Sequence, residues 1–84
     1  MTAQPLFIHG WTADITKGER ELSKRFDTWE QAREFVNVFI CRVCQPAEAT
    51  SLVFTVMHSD APRVGFLHLA KEGWHVHVRA SMHP

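Results

Sequence analysis

Residues 27–43, DTWEQAREFVNVFICRV (Asp27–Val43), hold a helix start, an amphipathic body and a helix end in one stretch. Thr28 followed three residues later by Gln31 is a capping-box pattern: the hydroxyl accepts an orphan backbone N–H and the Gln side chain reaches back to the cap. The pattern predicts a helix beginning at Thr28. At 100° per residue Trp29, Ala32, Val36, Phe39, Ile40 and Val43 fall within one arc, with Glu30, Arg33, Glu34, Asn37 and Arg42 on the rest, so one side must be buried.

What the helix packs against is read from its flanks. From Leu6 to Ile15 the chain alternates, with Phe7, His9, Trp11, Ala13 and Ile15 on one face and Leu6, Ile8, Gly10 and Thr12 on the other. Thr16-Lys17-Gly18-Glu19 has the composition of a turn, and Leu22, Lys24 and Phe26 alternate after it. Residues 5–26 therefore read as a β-hairpin whose polar second strand suits a sheet edge. After the helix, Gln45-Pro46 stops propagation, and Leu52-Val53-Phe54-Thr55-Val56-Met57-His58 reads as a central strand. Ser59-Asp60-Ala61-Pro62 turns into a strand from Val64 to Leu69, and Lys71-Glu72-Gly73 turns into Trp74–Ala80. Residues 81–84 read as a frayed tail.

The expected architecture is a single α+β domain over residues 1–84, ββαβββ in order, with one amphipathic helix on a five-stranded, mainly antiparallel sheet. A helix of about 16 residues covers roughly 24 Å by 10 Å, whereas five strands span about 24 Å across. With apolar side chains on both faces of three strands, part of the second face is expected to lie under a second subunit or a partner.

Composition narrows the function classes. Eighty-four residues leave room for one domain, and a chain of this size buries only about 60% of its unfolded surface. Nine Lys and Arg balance nine Asp and Glu, so the long-range field that draws proteins to nucleic acid or anionic membranes is missing. No run approaches the ~18 apolar residues that span a bilayer, and the N-terminus carries no basic leader. Two cysteines do not make a disulfide scaffold. These features lead to the expectation of a cytoplasmic protein with free thiols.

Three groups of residues merit a chemical reading. In the last strand Trp74, Val76 and Val78 share one face, and His75, His77 and Arg79 the other. An even loop at Glu72-Gly73 would set His68 against His77 and cluster three imidazoles; a three-residue loop with a left-handed Gly73 would shift the register. Side-chain sorting favours the even loop. Two His on one strand and a third across it suit zinc, which stays an alternative reading; the only acids between His58 and the C-terminus, Asp60 and Glu72, fall in turns, where they are poorly placed to orient imidazoles, so no metal is assigned.

Cys41-Arg42-Val43-Cys44 sits near a helix C-terminus, where the dipole opposes thiolate, which argues against redox chemistry; zinc binding there would need approaching His. Lys17, Arg20, Lys24 and Arg25 gather near the first turn and second strand, and together with Phe66, His75 and His77 they carry a weaker nucleic-acid reading, since Glu19 and Glu21 interleave. There is no nucleophile elbow, phosphate-cradling loop or paired carboxylate, and neither an enzyme nor a cofactor is expected.

No motif carries a family resemblance. The residues lead to a small protein-binding module, acting by occlusion or assembly of a partner protein or as a homodimer. An adaptor, an immunity-type protein or an inhibitor such as phages and mobile elements carry would fit that size and charge. Its contact residues are expected to be Phe66, His68, His75, His77 and Arg79, because arginine and aromatic side chains dominate interface energetics.

Overall fold

The computed structural model describes residues 7–83. Pro5, Leu6 and Pro84 of the predicted elements lie outside them. The order is β1 (Phe7–Lys17), β2 (Arg20–Phe26), α1 (Trp29–Val43), α2 (Pro46–Met57), a single turn α3 (Ala61–Val64), β3 (Phe66–Lys71) and β4 (Trp74–His83). The strands form one antiparallel sheet in the order β2-β1-β4-β3. The α+β class is observed, with four strands among the described residues where the sequence predicts five.

The capping box at the start of α1 is present in both directions: the Gln31 amide donates to Thr28 Oγ1 at 3.2 Å, and the Thr28 amide donates to Gln31 Oε1 at 3.3 Å. Trp29, Ala32, Val36 and Ile40 are buried from this helix. Phe39 is half-buried, and Val43 at the far end of the arc is exposed.

The principal correction concerns residues 52–58. They form no central strand; they are the last part of α2 and the cap that follows it. Pro46, read from sequence as a stop, opens α2 at its first position, where its missing N–H is one of the helix's orphans anyway. The hydroxyls inside α2 are satisfied along the helix, Thr50 Oγ1 donating to the Pro46 carbonyl at 2.9 Å and Thr55 Oγ1 to that of Ser51 at 3.0 Å. α2 lies against α1, and an ion pair from Glu48 to Lys71 (3.2 Å) fastens it to the end of β3.

The two hairpins have two-residue loops. Lys17 faces Arg20 around Gly18-Glu19, with Gly18 at φ 61°. Lys71 faces Trp74 around Glu72-Gly73, and both central residues have positive φ, 48° and 88°, as a type I′ turn requires. The loop is thus the even one. Replacing Gly73 with alanine adds a Cβ to a left-handed residue and is expected to cost about 1–2 kcal/mol, read as a lower melting temperature with unchanged far-ultraviolet dichroism.

β1 is the long inner strand. Trp11, Ala13 and Ile15 face the helices, opposite Phe26, Lys24 and Leu22 on one side and Ala80, Val78 and Val76 on the other. His9 is the extra residue of a bulge in the pairing with β4, and beside it a Cβ on Gly10 would come within 2.9 Å of the Phe26 carbonyl oxygen. β4 runs to His83, three residues beyond the end read from sequence. The tail thus continues the ladder, Ser81 facing Gly10, Met82 facing Ile8 and His83 facing Phe7.

The core lies between one sheet face and the helices. Its sheet half is Trp11, Ala13, Ile15, Leu67, Leu69, Trp74, Val76 and Val78, and its helical half Trp29, Ala32, Val36, Ile40, Ala49, Val56 and Ala61. The expectation of apolar side chains on both faces is overturned. With residues 52–58 in the helical layer, the helices cover one face and the outer face is mostly polar, so burial does not require a second subunit there.

Candidate functional site

The outer face is laid out by register alone. Rows run across β2, β1, β4 and β3: Arg25-Thr12-Arg79-Phe66, then Ser23-Asp14-His77-His68, then Glu21-Thr16-His75-Ala70. The sequence-derived residues Phe66, His68, His75, His77 and Arg79 all fall on this face and all are exposed. Phe66 keeps 53% of its surface accessible, and its ring meets that of His77 edge-on at 5.9 Å. His68 stacks on His75, with centroids 5.7 Å apart and 11° between planes, and tilts against His77 at 5.4 Å.

Asp14 anchors the middle of the face. It accepts a 2.5 Å hydrogen bond from Ser23 Oγ and lies 3.6 Å from Arg79 Nη2. The arginine is largely exposed, so the ion pair contributes at most about 1 kcal/mol, and its consequence is to hold the guanidinium over β1 rather than free in solvent.

The imidazoles stack and tilt; they do not converge. Among the described residues no three His, Cys, Asp or Glu side chains are grouped as a metal would need. Cys41 and Cys44 lie at the end of α1, on the helical side of the sheet, so they cannot join the outer-face histidines in one ligand set. Burial pushes the Cys44 thiol up, Glu48 adds to the effect, and Lys71 opposes it. A thiol held in its protonated form is a poor nucleophile.

Comparison with protein-family models, curated proteins and solved structures gave no match. The basic residues near the first turn are divided by the sheet: Arg25 belongs to the outer face, while Lys24 reaches across the helical side, its Nζ 5.6 Å from the Phe26 ring and 5.7 Å from that of Phe35. Lys17 and Arg20 face each other beside the turn. A continuous cationic track for a phosphate backbone is not assembled from them.

A second surface was not foreseen from sequence. Between α1 and α2 runs a groove lined by Arg33, Asn37, Val38, Cys41, Val53 and Met57, with Phe54 exposed nearby on α2. Asn37 Nδ2 lies 3.6 Å from Met57 Sδ, and Asn37 Oδ1 is buried with no hydrogen-bond partner among the described residues. The groove exists only because residues 46–57 are helical. No helix among the described residues is long and apolar enough to cross a membrane.

Proposed function

We propose that this chain is a small non-enzymatic protein-binding module that meets a partner protein through its outer sheet face and acts by occluding or assembling it. The observation that carries the reading is the gathering of Phe66, His68, His75, His77 and Arg79 on one face that the helices leave uncovered. Arginine and aromatic side chains held in place, with few flexible chains to immobilise, are the composition found at interface hot spots. The Asp14 contact and the stacked imidazoles supply that ordering.

The test compares proteins captured from a lysate by the native chain and by a Phe66→Ala/Arg79→Ala variant. Both residues are exposed, so fold and melting temperature should be kept. A protein retained by the native chain and reduced at least about tenfold by the variant supports the reading, since losing one hot spot costs about 2 kcal/mol or more.

Three outcomes would replace it. Capture unaffected by this variant but lost on Phe54→Ala/Met57→Ala would move the site to the helical groove. Recovery of nucleic acid, with affinity falling steeply as salt rises, would make the face a nucleic-acid platform. One zinc per chain by native mass spectrometry would make it a metal site.

A further inference from the structure

The two edges of the sheet are built differently. β2 reads RELSKRF, and Arg20, Glu21, Lys24 and Arg25 along it discourage another strand from pairing. β3 reads FLHLAK, and its one permanent charge, Lys71, lies at the hairpin end. Nothing in that stretch discourages strand addition.

The direction of the main-chain groups on β3 follows from one hydrogen bond. The Ala80 amide donates to the Gly65 carbonyl at 2.8 Å, one step beyond the facing pair Phe66 and Arg79. In an antiparallel ladder, facing pairs alternate between those that exchange main-chain bonds and those that do not. Leu67 and Leu69 therefore bond with Val78 and Val76, and Phe66, His68 and Ala70 turn their N–H and C=O groups away from β4. Among the described residues no other strand pairs on that side.

We propose that β3 pairs antiparallel with β3 of a second copy of this chain, about a two-fold axis through His68, joining the two sheets into one. The register is fixed by the edge itself. With His68 facing the partner's His68, Phe66 faces the partner's Ala70 and Ala70 the partner's Phe66. All three outward-directed residues are then paired; a two-fold axis at Leu67 or Leu69 pairs fewer of them. On the helical side Leu67 meets the partner's Leu69, apolar against apolar. On the outer side large meets small, and Lys71 falls opposite the partner's Gly65, so no permanent like charges face each other.

This pairing is isologous and the charged β2 edge ends the sheet on both sides, so assembly stops at two copies. The outer faces become continuous, with the histidine clusters of both copies meeting at the axis. The inference goes beyond the partner-binding reading and does not depend on it, since a monomer could bind a partner through the same face.

The test uses the full chain. Light scattering after size exclusion at micromolar concentration should give the mass of two copies. Ala70→Pro removes an outward N–H that β4 does not use, and Ala70→Lys places a charge opposite the partner's Phe66; dichroism and melting confirm that each is folded. Ala70→Pro should raise the dimer dissociation constant about tenfold or more, because a main-chain bond is lost on each side of the axis, and Ala70→Lys should raise it as well, by setting a charge against an apolar ring.

Geometry is tested in a background carrying Cys41→Ser and Cys44→Ser. His68→Cys brings two Cα atoms about 5.5 Å apart across the axis, within disulfide range, and mild oxidation should give a covalent dimer. Ala70→Cys should not, because the two copies of residue 70 stand at least roughly 13 Å apart. A monomeric native chain would overturn the proposal. So would a dimer that both Ala70 variants leave intact, or one that cross-links through residue 70 but not through residue 68.

Discussion

Trp11→Ala should lower the free energy of unfolding by about 3–5 kcal/mol, the range for removing a buried tryptophan side chain. Trp11 is buried on the inner strand β1, facing Phe26 on one neighbouring strand and Ala80 on the other. Its ring lies 5.1 Å from that of Trp29, tilted by 52°, and Trp29 is the first residue of α1. The pair joins the first hairpin to the start of the helix, and Phe26 against Phe35 at 5.2 Å repeats the connection nearly two turns further along. Deleting the indole leaves a cavity where strand and helix meet, and neither element can collapse into it without giving up the capping box or the β1–β2 ladder.

Domains of this size have total stabilities of about 5–15 kcal/mol, so the variant should keep only part of its urea resistance. Equilibrium urea unfolding followed by far-ultraviolet dichroism measures the difference. Trp11→Phe, which retains most of the ring contact, should recover more than half of it. A loss below about 1 kcal/mol for the alanine variant would mean that the junction is not held there.

How far the sequence discloses this molecule can be judged element by element. α1 was legible because its signals are redundant: a reciprocal cap, four buried positions on one arc and a polar remainder all agree. The β3–β4 hairpin was legible in part: alternation in both strands favours the register that keeps the leucines and valines together without excluding a three-residue loop, and the positive φ of both Glu72 and Gly73 decides for the even one. The arrangement of Phe66, His68, His75, His77 and Arg79 follows from that register.

Residues 52–57 were misread because they are apolar or β-branched almost throughout. A short run without polar interruption carries no period, and composition then favours a strand. The decisive signals lay upstream, in Pro46 at a helix start and the helix-forming Ala47-Glu48-Ala49 after it. The α1–α2 groove and the polar outer face were hidden by the same error, since both depend on which layer this segment joins.

That error also supplies the sharpest test of the fold. Phe54 and Val56 are two residues apart, so in a strand they would share a face and respond alike to a change of character. In a helix they are separated by about 200°. Phe54 is 63% exposed and stacks on His58, whereas Val56 is 1% exposed and packed in the core. Val56→Asp places a carboxylate among apolar groups with no cation or donor paired to it, which should cost about 4 kcal/mol or more and leave little folded protein. Phe54→Asp places the same group in solvent on the opposite side of α2 and should change stability by no more than about 0.5 kcal/mol. Thermal melts of the two variants, run against the native chain, separate the alternatives: comparable losses would return residues 52–58 to a strand, and an intact Phe54→Asp beside a collapsed Val56→Asp is the outcome the helical layer demands.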